Sequence, residues 1–134
     1  MIQGLHHIAV AVPSLREALP RWVDGLGLRH VSTEEVPTEQ VRVAILMAGE
    51  TRIELLEPTS PESPIAKFLE KRGPGLHHLA FKVGDTGAVM KVLAGRGATL
   101  LSDAPKPGAH HTKVAFAHPK WLGGVLAELV EEPR

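Results

Sequence analysis

Apolar and polar residues alternate with a period of two in two stretches that are near copies of one another. The first reads Gly4-Leu5-His6-His7-Ile8-Ala9-Val10-Ala11-Val12, and the second Gly75-Leu76-His77-His78-Leu79-Ala80-Phe81-Lys82-Val83. This alternation predicts two strands. In the first, His6, Ile8, Val10 and Val12 share one face, and Leu5, His7, Ala9 and Ala11 share the other. One face is bulky and suits a core; the other sets a histidine beside small alanines, which leaves room next to it. The second copy divides the same way, with Leu79 and Phe81 on the bulky side and His78 with Ala80 on the roomy one. His6 and His77 fall on the bulky side and are expected to be core histidines with hydrogen-bond partners.

The remaining pattern repeats around these two strands. After the first copy, Ser14 and Glu17 have the spacing of a capping box, which starts a helix through Leu19. Pro20 kinks or restarts that helix, and Gly25 and Gly27 end it. Strands follow at Leu28–Val36, Gln40–Met47 and Thr51–Glu57, the last ended by Pro58. Thr59 to Pro64 is a proline-rich linker, with Ser63 as N-cap and Pro64 as first residue of a short helix. In the second half, Asp85 caps a helix that stops at Gly95 and Gly97. Strands are predicted at Ala98–Ser102, Thr112–Ala117 and Val125–Val130, with a turn-rich segment from Asp103 to Gly108. Each half thus reads as strand, helix and three strands. The fold expected is α+β: a first βαβββ module over residues 1–58, a linker and short helix over 59–74, and a second βαβββ module over 75–134. The two modules together form one curved eight-stranded mixed sheet in a single domain.

Composition narrows the function. The 134 residues carry a formal net charge of zero and no basic stripe, which argues against nucleic acid as a partner. There is no cysteine, so disulfides, zinc–thiolate sites and thiol nucleophiles are excluded. No stretch reaches membrane-spanning length, and a soluble, cytoplasmic protein is expected.

The chemistry lies in a second duplication. Ile53-Glu54-Leu55-Leu56-Glu57 and Ala127-Glu128-Leu129-Val130-Glu131 hold the same place in the two halves. In each, an acid sits inside an apolar strand, where an unpaired charge is costly. An edge strand with its glutamates in water is the plainer account of either one alone. Taken with His7 and His78, Glu54 and Glu128 make a set of two imidazoles and two carboxylates. That set suits a divalent cation such as cobalt, nickel, manganese, iron or zinc, and spacing does not choose among them.

With these motifs in view, the chain resembles the vicinal-oxygen-chelate superfamily, which includes glyoxalase I, extradiol dioxygenases and methylmalonyl-CoA epimerase. Within it, the chain is most similar to the epimerase family. Three stretches carry that resemblance: Ile53 to Pro61 with Ser63 to Leu69; Gly75 to Phe81; and Lys113 to Phe116 leading into His118-Pro119-Lys120 and Gly124 to Leu129. The resemblance implies that His7, Glu54, His78 and Glu128 are metal ligands. It implies interconversion of the C2 epimers of methylmalonyl-CoA through proton abstraction, with the enolate held by the metal. Inversion needs acid–base groups on both faces of the planar intermediate, and Glu128 is expected to be one. Some family members carry a further glutamate on the third strand, where Val41 to Leu46 supplies none. Glu39, Gln40, His111 or a metal-bound water are left for that second role.

Lys113 and Lys120 are expected to bind substrate by meeting the CoA phosphates or the substrate carboxylate. His110-His111 reads as a solvated loop pair, and Trp22 and Phe68 read as packing residues. Trp121 replaces the small polar residue often found after His-Pro-Lys in the family, so the loop near the substrate is expected to differ in shape. A homodimer is implied by the resemblance. A glyoxalase-like isomerase and a non-catalytic small-molecule-binding protein of the same fold are the alternatives.

Overall fold

A computed structural model describes all residues, Met1–Arg134. The strands are β1 (Ile2–Ala11), β2 (Arg29–Val36), β3 (Val41–Ala48), β4 (Thr51–Pro58), β5 (Gly75–Val83), β6 (Lys106–Pro107), β7 (Lys113–Ala117) and β8 (Ala127–Glu131). The helices are α1 (Leu15–Leu19), α2 (Pro64–Arg72) and α3 (Thr86–Gly95). The strands follow the order β2-β3-β4-β1-β5-β8-β7-β6 in one mixed sheet, the α+β architecture expected of two βαβββ modules. The chain groups into two compact units, His7–His77 and Met1–His6 with His78–Arg134. Both changes of unit fall between the two histidines of a duplicated strand.

Within the first unit, β1 runs parallel to β4, with Ala9 opposite Glu54 and Ala11 opposite Leu56. β3 runs antiparallel to β4 and sets Ile45 opposite Glu54. Alternation therefore separates two faces. On one, Val10, Val12, Ala44, Leu46 and Leu55 pack beneath Leu15 of α1, with Trp22 and Val23 beside them. On the other, Ala9, Ala11, Val43, Ile45 and Leu56 pack against Ile65 of α2, with Phe68 and Leu69 next to it. Trp22 and Phe68 are thus packing residues. The space predicted beside Ala9 and Ala11 is taken by Ile65, which leaves chemistry to the His7–Glu54 end of that face. The second unit repeats the division. Val83, Ala115 and Leu129 pack against Val89 and Met90 of α3, while Ala80, Val114 and Val130 cluster on the opposite face.

The caps follow the sequence. Ser14 Oγ accepts from the Glu17 N–H at 3.3 Å, Ser63 Oγ from Ile65 at 3.1 Å, and Asp85 Oδ1 from Ala88 at 3.0 Å. At Pro20 the α-helix gives way to a π-helical run, Pro20–Gly25. This is the irregularity expected where a residue lacking an N–H breaks the hydrogen-bond ladder.

The second half departs from expectation between Ala98 and Gly108. Ala98–Ser102 does not form a strand: Leu100 makes one isolated bridge to Ala117. Ser102 instead turns the chain by donating from its hydroxyl to the Ala104 carbonyl at 2.8 Å. The short strand of this region is β6, inside the segment read as turns, where Lys106 lies opposite Val114. Pro105 and Pro107 have no N–H to extend the ladder, which keeps it to two residues. The final strand also starts later than expected. Val125 is exposed, and Gly123 and Gly124 just before it take positive φ.

A matched pair of acids fastens each helix to its sheet. Glu57 Oε2 accepts from the Leu15 N–H, at the first turn of α1, at 2.9 Å. In the second half Glu131 Oε1 accepts from the Thr86 N–H, at the first turn of α3, at 2.8 Å. Fully buried Thr86 adds a hydroxyl bond to the Lys113 carbonyl at 3.0 Å. Arg42 donates to Glu57 and Glu35, each at 2.8 Å. Those bonds, Glu35 first and then Glu57, hold the Arg42 guanidinium above its ordinary pKa. Glu57→Ala strips α1 of an acceptor at its positive end and is expected to cost about 1–2 kcal/mol of stability. Urea denaturation of the variant against wild type measures that loss.

Candidate functional site

Each module brings one imidazole and one carboxylate together on the face turned away from its capped helix. In the first, His7 Nδ1 lies 3.5 Å from Glu54 Oε2. Period two and the Ala9–Glu54 register place both on that face. In the second, His78 Nε2 lies 2.9 Å from Glu128 Oε1. Here Ala80 stands opposite Glu128, the same offset of two residues from the histidine. His7, His78 and Glu128 are buried, and the Glu54 side chain is 13% exposed. Neither acid is on an edge strand: β4 lies between β3 and β1, and β8 between β5 and β7. The reading of these glutamates as solvated edge residues does not hold.

The two pairs differ in what surrounds them. Arg52 Nε lies 3.1 Å from Glu54 Oε2, two residues earlier on β4 and therefore on the same face. The contact is an ion pair without hydrogen-bond geometry, since the solvent-shielded Nε makes no hydrogen bond. The position corresponding to Arg52, just before β8, is Leu126, which carries no charge. Glu128 is framed instead by Phe116, opposite it on β7. That ring meets the His78 imidazole edge-on, with centroids 5.5 Å apart. Arg52 was not anticipated from sequence, although its offset of two from Glu54 is the available signal.

The other histidines separate by role. His6 Nε2 bonds the Glu132 carboxylate, which meets the expectation of a partnered histidine. His77 is only half-buried and sits edge-on to Phe68 at 4.9 Å, so it belongs to a surface contact rather than the core. His110 and His111 both take left-handed backbone conformations, with φ of 54° and 61°. Their loop is held by Thr112, whose hydroxyl donates to the Ala109 carbonyl at 2.8 Å. Close packing also fixes it at Gly108, where a Cβ would stand 2.5 Å from Thr112 Oγ1 and 2.7 Å from Val114 Cγ1.

Of the groups left for a second acid–base role, Gln40 is left-handed, with φ of 52°, and its amide is bonded to Ser60. Glu39 is half-buried and His111 is exposed. The positions of β3 on the face of Glu54 are Val41, Val43, Ile45 and Met47, all apolar. Lys113 is exposed and stands opposite Glu131, which puts it on the α3 face, away from Glu128. Lys120 lies in the loop from β7 to β8 and lines a cleft of about 310 Å³ with Thr99, His118 and Trp121.

Each pair, His7 with Glu54 and His78 with Glu128, offers an imidazole nitrogen and a carboxylate oxygen and no thiolate, donor types that suit a first-row divalent cation. The family model for the Glyoxalase/Bleomycin resistance protein/Dioxygenase superfamily matches residues 6–116. An ethylmalonyl-CoA/methylmalonyl-CoA epimerase of Cereibacter sphaeroides is 41% identical over 131 residues, spanning 96% of this chain and 98% of that one. The crystal structure of methylmalonyl-CoA epimerase from Mycobacterium tuberculosis superimposes with a TM-score of 0.93 at 37% identity, covering 99% of this chain and 90% of that one. A methylmalonyl-CoA epimerase in complex with methylmalonyl-CoA and NH4+ superimposes with a TM-score of 0.91 at 31% identity, covering 98% of this chain and 96% of that one. The chain therefore belongs to the Glyoxalase/Bleomycin resistance protein/Dioxygenase superfamily and, within it, to the family of the methylmalonyl-CoA epimerases.

Proposed function

We propose that the protein is a metal-dependent epimerase that interconverts the C2 epimers of methylmalonyl-CoA. The observation that carries this reading is the duplicated imidazole–carboxylate pair, His7 with Glu54 and His78 with Glu128, in a chain whose relatives are named for that reaction. In this reading His7, Glu54, His78 and Glu128 hold one divalent ion. When bound, that ion supplies Lewis-acid stabilisation of the negative charge that develops on the thioester oxygen.

The side chains divide the remaining work. Glu128 takes the C2 proton on one face and returns it in the reverse direction. His78, 2.9 Å away, fixes the orientation of its carboxylate. Phe116 and the buried setting keep water from competing for that proton. Glu54 serves as ligand only, because its Oε2 already faces both His7 and Arg52. The second proton donor is not supplied by β3, whose residues on the face of Glu54 are all apolar. Of the two lysines, Lys120 is assigned to the phosphates of the CoA arm; Lys113 lies on the other face of the sheet.

No helix is long and apolar enough to cross a membrane, and cytoplasmic residence and a homodimer complete the proposal. Deuterium wash-in at C2 of methylmalonyl-CoA tests the function. Exchange is expected with the metal-loaded protein, loss of it after chelation, and recovery when a divalent ion is restored. A preparation that contains metal yet exchanges no proton at C2 would overturn the reading. Turnover of a hemithioacetal in its place would indicate a glyoxalase-like isomerase.

A further inference from the structure

The cleft lined by Thr99, His118, Lys120 and Trp121 has the chemistry of a nucleotide site. No carboxylate lines it, and the Lys120 ammonium is exposed and makes no ion pair there. His118 Nδ1 accepts from the Lys120 backbone N–H at 3.0 Å. The ring proton of neutral His118 is therefore on Nε2, which is left as a donor. Thr99 gives its carbonyl to the His118 N–H at 2.7 Å, so its hydroxyl is not used in that contact. Trp121 is 37% exposed, a large apolar ring at the surface.

The backbone that carries the ring is held by hydrogen bonds within its loop. The Trp121 N–H bonds the His118 carbonyl at 3.1 Å, and the Gly124 N–H closes back on Pro119 at 2.8 Å. Gly123 and Gly124 supply the positive φ values this tight return requires. Such preorganisation lowers the cost of binding a flat ligand. The cleft also adjoins the catalytic strand. Its loop leaves β7 at Ala117 and enters β8 at Ala127, which are paired, and Glu128 is the next residue.

We propose that this cleft binds the nucleotide end of an acyl-CoA, with Trp121 stacked on the adenine and Lys120 paired with a phosphate. The inference rests on the epimerase reading for the identity of the acyl-CoA, and the test keeps the two apart. In a Trp22→Phe background Trp121 is the sole tryptophan. Adenosine 3′,5′-bisphosphate is expected to quench its emission saturably, and Lys120→Gln to weaken that binding about tenfold. Proton exchange is then compared between methylmalonyl-CoA and methylmalonyl-pantetheine, which lacks the nucleotide. Trp121→Ala is expected to lower the ratio of kcat/KM for the two thioesters about tenfold, the scale of one lost base–aromatic stack. Trp121→Phe is expected to restore much of it.

Absence of quenching, or an equal fall for both thioesters in Trp121→Ala, overturns the nucleotide site while leaving the epimerase intact. Saturable quenching in a protein that exchanges no proton on either thioester supports the cleft and removes the epimerase reading instead.

Discussion

Replacing Glu128 by glutamine is expected to slow proton exchange at C2 of methylmalonyl-CoA by about 10²–10⁴-fold, the usual contribution of a positioned acid–base group. Glutamine preserves the shape of the side chain beside His78 and can still offer an amide oxygen as ligand. It cannot accept the proton. Metal content measured on the same preparation separates loss of the base from loss of the ion. Exchange at the wild-type rate with a full complement of metal would remove Glu128 from the chemistry. Glu54→Gln is the informative control. It alters the matching carboxylate of the first module, but one that already faces His7 at 3.5 Å and Arg52 at 3.1 Å. A smaller loss is expected there, because that carboxylate is assigned to ligation alone.

Leu55→Ala is expected to destabilise the fold by about 2–5 kcal/mol, the range for emptying a large aliphatic side chain from a packed core. Leu55 is completely buried on β4, among Val10, Ala44 and Leu46. Its neighbours on both sides are strand residues paired in register with β1 and β3, so collapse into the void is resisted by the sheet itself. Against a typical total of about 5–15 kcal/mol, such a loss is large. A lower urea midpoint at unchanged slope reports it. A midpoint within experimental error of wild type would mean that the sheet relaxes around the vacancy.

The parts of this molecule that were readable in advance are those decided by local chemistry. The duplicated strand declares its period directly, and Ser14, Ser63 and Asp85 cap helices as their residue types prescribe. The pairing of His7 with Glu54 and of His78 with Glu128 was legible because it occurs twice, and a coincidence of burial is harder to sustain in duplicate. What was not legible depends on partners far away in sequence. Thr99 to Leu101 has the composition of a strand, yet it finds only the end of the five-residue β7 to bond with. The crowding of Ala9 and Ala11 by Ile65 required knowing where α2 lies. Glu57 and Glu131 were given no role from sequence, because the N–H groups they accept from, at Leu15 and Thr86, lie more than forty residues away in the chain.

The spacing of the acids on β4 and β8 has a consequence for how the two halves tolerate change. Glu54 and the helix fastener Glu57, like Glu128 and Glu131, are three positions apart on their strand, an odd number, so they emerge on opposite sides of the sheet. Inserting or deleting one residue between them would put both on the same side, so that a single strand could no longer serve the histidine with one acid and the helix with the other. Changes of length are borne by the loops at far less cost, and the interval from Glu54 to Glu57, with its twin from Glu128 to Glu131, acts as a fixed ruler.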